Sequence, residues 1–137
     1  MQERRITVGI GVEASTGYGR QIMRGVMRYA NLRHRWLLAE ELYIHTTNPA
    51  DWPACEGAVL AVGDSAQLAV FKRCCGHLVS CSGWADPAEV PVVTIDDRAV
   101  GRLAAEHLLE CRLKHFGFYG WGGRQGVMAN RADGFGQ

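Results

Sequence analysis

The 137-residue sequence predicts an α/β fold, an open parallel sheet flanked by helices. Three observations lead there. Short apolar runs of strand length alternate with longer stretches whose apolar residues recur at helical period. Hydrophobic residues make up 47% of the chain and charged residues 21%, proportions that give a modest core and an ordinary water-facing surface. A small-residue loop follows the first apolar run, as a strand-to-helix connection requires.

Ile6 to Val12 reads as the first strand, and Ala14-Ser15-Thr16-Gly17 leads from it into a helix of about Tyr18 to Asn31. That helix turns Ile22, Met23, Val26, Met27 and Ala30 inward and repeats Arg20, Arg24 and Arg28 on its outer face. Trp36 to Glu41 gives a second strand, Asp51-Trp52 a helical turn, and Gly57 to Val62 a third strand. Asp64 or Ser65 caps a short helix reaching Cys75, with Leu68, Phe71 and Cys75 at core spacing. Gly76 ends it, and His77 to Ser82 follows as a fourth strand. Val92 to Ile95 is a fifth strand with Asp96 at its carboxyl end. The helix from Asp97 to about Cys111 lines up Val100, Leu103, Ala104, His107, Leu108 and Cys111 on a stripe expected to face the core. Phe116 to Tyr119 is a sixth strand, 120 to 126 a glycine-rich loop, and Val127 to Phe135 a last helix that the chain end is expected to cut short.

Composition excludes several functions. A net charge of +1, with 15 scattered Lys and Arg residues, supplies no basic field for phosphate backbones, so no direct nucleic-acid binding is expected. The first apolar run is too short for a secretory segment, and no stretch approaches the roughly 18 apolar residues of a membrane span. A cytoplasmic location and no membrane partner are expected. The cysteines, at 55, 74, 75, 81 and 111, show neither CxxC nor zinc spacing, and their odd number argues against a disulfide framework. They read as small buried residues; Cys74-Cys75 is a vicinal pair of the kind that can oxidise, but nothing beside it in the sequence points to a poised thiolate.

Ligands of open parallel sheets bind beyond the carboxyl ends of the strands. The residues to inspect are therefore Glu13 to Tyr18, Gly63 to Ser65, Ser82 to Trp84, Asp96 to Arg98 and Trp121 to Arg131. This polar and aromatic set suits a sugar, whose hydroxyls want carboxylate and guanidinium partners and whose C–H faces pack on rings. Gly9-Ile10-Gly11-Val12-Glu13-Ala14 also matches a dinucleotide-binding fingerprint, with Glu40 and Glu41 as the acidic partner. Against that, Gly17 and Gly19 delay the helix and the acidic residues come late, so close packing on a central strand is the preferred account of Gly9 and Gly11. No Ser/His/Asp set or carboxylate pair stands in a catalytic context, so no enzymatic activity, cofactor or metal is expected. His107 reads as a structural, hydrogen-bonded core histidine. Of Asp96 and Asp97, one is expected to meet ligand while the other caps the helix.

From Pro91 the string PVVTIDDRAVGRLAAEHLLECRLKHFGFYG, followed by WGGRQGVMANRADGF, resembles the effector domains of the lac-repressor family, which share the type I periplasmic-binding-protein-like fold. The start at RRITVGIGV, the GYGRQIMRGVMRYA helix and the ADWPACEGAVLAVGD stretch are more similar still to the xylose-operon regulators, which carry their DNA-binding domain after the effector domain. The resemblance implies a truncated fold in which residues 1 to 112 belong to the first lobe and 113 to 137 open the second. It implies that Asp96 touches a sugar from the first lobe and Arg131 holds sugar hydroxyls from the second; Tyr18, Ser15, Asp64 and Trp84 join them by loop position as ligand-binding candidates. The implied function is sugar sensing in a transcription regulator. Its effector would be a pentose, xylose first, its DNA contact would lie in a domain missing from this chain, and the full-length protein would be a homodimer. A transport-type sugar-binding protein and a dinucleotide-binding enzyme domain are the alternatives. One departure stands out: the family usually has glycine where Arg112 follows the Asp97 helix, and a side chain in a left-handed cap costs on the order of 1 kcal/mol.

Overall fold

The computed structural model of the protein describes residues 4–33, 36–39, 52, 54–120 and 126–137. Glu40, Glu41, Asp51 and Trp121, and with them the acidic partner, the helical turn and part of the glycine-rich loop expected from sequence, lie outside these residues. The chain forms two compact units, 1–93 and 94–137.

The first unit contains β1 (Ile6–Gly11), α1 (Gly17–Arg33), β2 (Trp36–Ala39), β3 (Cys55–Leu60), α2 (Ser65–Cys74) and β4 (Cys75–Ser80). Its strands are all parallel, in the order β2-β1-β3-β4. β1 lies inside the sheet and is buried from Val8 through Gly11, which is why it reads as an unbroken apolar run. Below α2, Leu68 and Phe71 pack with Ala58, Leu60, Val62, Trp52, Cys75 and Val90 into one cluster. The Trp52 ring meets Phe71 edge-on at 4.8 Å between centroids. Its indole also fills the space where Gly9 has no side chain, since a Cβ there would stand 2.6 Å from the ring. Gly9 is thus glycine because tryptophan needs its place.

Two strands start earlier than the sequence predicts. β3 begins at Cys55 and β4 at Cys75, so Gly76 lies within a strand instead of ending α2. Asp64 caps α2 as expected: its Oδ1 accepts from the Gln67 amide at 2.8 Å while Gln67 Oε1 accepts from the Gly63 amide at 3.0 Å. The predicted strand from Val92 to Ile95 reduces to one parallel bridge, Val92 to Ser80. A strand exists only where a ladder continues, and beyond Val92 the residues are exposed, Val93 by 63% and Ile95 by 44%.

The second unit contains α3 (Asp97–Glu110) and α4 (Val127–Phe135). Asp96 is the N-cap of α3, its Oδ1 accepting from the Ala99 amide at 3.0 Å. The other end closes as a Schellman motif, with the Arg112 amide on the Leu109 carbonyl at 2.8 Å and the Leu113 amide on the Leu108 carbonyl at 3.2 Å. Arg112 takes the left-handed conformation anticipated for it, with φ 59°. The helices meet at two glycines. A methyl group on Gly101 would run into the Arg131 carbonyl, and one on Gly134 into the Arg98 carbonyl. Arg131 Nε donates to Asp97 Oδ1 at 2.7 Å, and Arg98 pairs with Asp133 at 3.0 Å.

This packing overturns the expected core stripe of α3. Leu103 is 61% exposed, and Val100, Ala104, His107 and Cys111 are exposed as well, while Asp97 and Gly101 are the buried positions. His107 is accordingly no core histidine; its nearest partner is the Cys111 thiol at 3.8 Å. The helical period was real, but α4 docks on the small-residue side of α3. Phe116 to Tyr119 forms no strand either. Phe116 and Phe118 each set their rings 5.6 Å from that of Phe135 on α4, and Tyr119 is exposed. Because α3 packs on α4, these two helices fall in one compact unit, and the division lies at Val93/Thr94.

Candidate functional site

Strand order singles out one edge of the first unit. From β1 the chain passes to β2 on one side, and the next strand, β3, pairs on the other side of β1. Connections that diverge in this way leave a crevice between the loops that follow the two strands. The β1 loop carries Ser15 and leads into Tyr18, the β3 loop carries Asp64, and the loop after β4 carries Trp84. Four of the six candidate ligand residues therefore share the carboxyl edge of one sheet.

Hydrogen bonds hold this edge in shape. Ser15 Oγ donates to Glu13 Oε1 at 2.6 Å, and Thr16 Oγ1 accepts from the Gly19 amide at 3.0 Å. Arg20, at the inner end of the arginine row, donates from Nη1 to the Ala14 and Ser15 carbonyls at 3.1 and 2.6 Å. It secures the loop while remaining on the exposed face of α1. Gly19 has no room for a side chain, since a Cβ would meet the Glu13 carbonyl. Tyr18 donates its hydroxyl to the Cys81 carbonyl at 2.7 Å, fastening the start of α1 to the segment after β4. Burial pushes the Cys81 thiol above its ordinary range, so it stays neutral beside these loops. Trp84 is 51% exposed, and its amide donates to Ser82 Oγ at 3.3 Å.

Glu13 stood in the stretch that the sequence marked for inspection but was not among the six ligand candidates. The signal lay in Glu13-Ala14-Ser15, an acid two residues from a hydroxyl, but it was absorbed into the glycine fingerprint. That fingerprint fares poorly as geometry: Val12 to Thr16 intervene between β1 and the helix, whereas a dinucleotide fingerprint turns straight from strand to helix.

In the second unit the structure separates the two aspartates by role. Asp96 faces the helix end as its cap, and Asp97 is the carboxylate that turns inward to Arg131, with its side chain 7% exposed against 30% for Arg131. Asp96 and Arg131 are thus not each other's partners; Asp97 orients the Arg131 guanidinium. Among the described residues no group of three or more His, Cys, Asp or Glu is placed to hold a metal ion, and no helix is long and apolar enough to cross a membrane.

No protein-family profile matches the chain, and no curated protein does. A solved structure does: an ABC transporter solute-binding protein from Burkholderia multivorans, described with an unknown ligand represented as α-D-erythrofuranose. It is 18% identical, with a TM-score of 0.68 over 99% of this chain and 56% of its own. The chain thus spans little more than half the length of that protein. At this identity the likeness shows the fold, the open parallel α/β architecture of periplasmic-binding-protein type.

Proposed function

We propose that this protein binds a small polyhydroxylated ligand of pentose size through the loops at the carboxyl edge of its parallel sheet. The observation that carries the reading is the strand order, which puts the switch point between β1 and β3 and flanks it with Glu13, Ser15 and Asp64. Carboxylate and hydroxyl oxygens exchange hydrogen bonds with sugar hydroxyls, and a half-exposed indole such as Trp84 offers a face for sugar C–H groups. The solute-binding protein of the same fold, whose unknown ligand is represented as a furanose, supports the ligand class. Arg131 and Asp96 are further candidates, Arg131 with its guanidinium oriented by Asp97.

Amide-resolved NMR of the isotope-labelled protein, titrated with xylose, ribose and arabinose, tests this. Shift changes are expected at residues 13–18, 63–65 and 82–84 and are expected to weaken in Asp64→Ala. A spectrum indifferent to every sugar at saturating concentration rejects the reading.

Within that ligand class we read the chain as the effector-binding part of a cytoplasmic transcription regulator, dimeric when whole and reaching DNA through another domain. The sequence resemblance supports this choice. A transport-type binding protein is the second reading, favoured by the solved neighbour. The codons that adjoin this stretch in the gene distinguish them: paired helix-turn-helix motifs downstream belong to the first, an export leader upstream to the second.

A further inference from the structure

Cys55 opens β3 and Cys75 opens β4, and the parallel ladder sets them directly opposite one another. Neighbouring strands run about 4.8 Å apart, within the roughly 4.4–6.8 Å that a disulfide spans between Cα atoms. The two Sγ atoms stand 2.7 Å apart, well inside the contact distance of unbonded sulfurs. Trp52 Nε1 donates to Cys55 Sγ at 3.1 Å and helps fix its rotamer. Cys75 is buried and Cys55 half-buried, so a small reagent reaches Cys55 first. The vicinal Cys74-Cys75 pair singled out in the sequence is therefore not the pair the fold brings face to face; Cys74 ends α2, and the partner of Cys75 comes from the neighbouring strand.

We propose that Cys55 and Cys75 form an oxidative modification site, converted by a peroxide into a disulfide that ties the start of β3 to the start of β4. The Cys55 thiolate attacks one peroxide oxygen, the O–O bond breaks, and the departing hydroxide takes up the proton that Cys55 shed, leaving water and a sulfenic acid. Cys75 Sγ then attacks the Cys55 sulfur, the S–O bond breaks, and the departing hydroxide leaves as water with the Cys75 proton. Two thiols lose two electrons and two protons in all, and one hydrogen peroxide becomes two waters. Burial, then the hydrogen bond with Cys55, pushes the Cys75 thiol up to about 12, so at neutral pH it waits as a thiol and its attack is the slow step. The new bond would sit at the amino ends of the strands, the edge opposite the candidate ligand loops.

The experiment treats the intact protein with limiting hydrogen peroxide, alkylates the remaining thiols and maps the digest by mass spectrometry. The peptide that carries Cys75 after tryptic cleavage also carries Cys74 and Cys81, so fragment sequencing and a Cys74→Ser variant assign the linkage. The expected result is a Cys55–Cys75 cross-link, two hydrogen masses below the free peptides, that persists in Cys74→Ser, vanishes in Cys75→Ser and reverses with dithiothreitol. A link from Cys55 to Cys74, a stable Cys55 sulfenic or sulfinic acid, or full alkylation of Cys55 and Cys75 while exposed Cys111 oxidises would overturn it.

Discussion

The two units of this chain are held together by different means. In the first, a helix and a sheet bury large side chains: Phe71, Leu60, Val12 and Val62 are nearly inaccessible. In the second, what is buried between α3 and α4 is an aspartate and two glycines, while most large apolar residues of α3 remain exposed. Apolar burial tolerates imprecision because its energy follows area. A glycine contact between helix backbones, paired with an ion pair, tolerates little. Stability in the first unit is therefore a matter of volume, and in the second a matter of fit.

The sharpest way to break this contrast is Phe71→Ala. Removing the ring that Trp52 and Leu68 pack upon is expected to cost about 3–5 kcal/mol, and hydrogen exchange should show the loss in β3 and α2 amides while α3 and α4 keep their protection. Loss spread evenly over both units would refute the idea that they are held separately. In the second unit, Gly101→Ala adds one carbon where none fits, against the Arg131 carbonyl. Although alanine favours helix, the overpacking is expected to dominate at about 1–3 kcal/mol, read as faster exchange in α4. An unchanged or stabilised helix pair would mean that α3 and α4 separate freely.

Asp97→Asn keeps the shape but removes the charge that faces Arg131. Arg131 is partly solvated, so the expected cost is about 1–2 kcal/mol, below that of a fully buried pair. The loss should shrink when Arg131 is truncated in the same chain, and additive effects would show that the pair is not coupled. Arg112→Gly works in the other direction. It relieves the left-handed backbone of a side chain and should stabilise α3 by about 0.5–1 kcal/mol, measured as a higher melting midpoint.

Glu56 gives the smallest effect, and it concerns the first unit alone. Its carboxylate accepts the Thr7 amide at 2.9 Å and pairs with Arg4, and these two contacts hold it below its ordinary value of 4.5. A depressed carboxylate contributes stability that is complete above its unfolded-state value and disappears as pH falls through the folded one. Glu56→Gln should therefore lower stability slightly at neutral pH, where the contribution is complete, and flatten the acid limb, so that the variant and the parent converge at low pH. An acid limb identical to that of the parent protein would show that the contact contributes nothing in solution.

Much of this architecture was legible because it follows from periodicity. The first strand, α1, α2 and both helices of the second unit stand within a few residues of their expected bounds, and Asp64 performs the capping its place before Ser65 implied. The failures concern properties that no single segment owns. Val92 to Ile95 has the composition of a strand, yet pairing depends on a neighbour, and Ser80 offers Val92 only one bridge. The apolar stripe of α3 is evident in the sequence, but which side a second helix covers was decided by Gly101 and Gly134. Adjacent aspartates look alike in sequence; a helix start turns one to its own amides and the next toward a neighbour. Of the six ligand candidates, Ser15, Tyr18, Asp64 and Trp84 lie at the carboxyl edge of one sheet, where their loop positions in the sequence put them.

The indole lodged in the gap at Gly9 has an optical consequence. Trp52 is 7% exposed, touches an aromatic ring and lends its N–H to a thiol, whereas Trp84 stands half in solvent. An indole emits at shorter wavelength in apolar surroundings, and a sulfur against it quenches. Trp52 thus supplies a dim, blue-shifted emitter in the core cluster beneath α2, and Trp84 a red-shifted one beside the candidate ligand loops. Among the four tryptophans of the chain these two should therefore report on different events, Trp52 on the opening of the core and Trp84 on what occupies the loops.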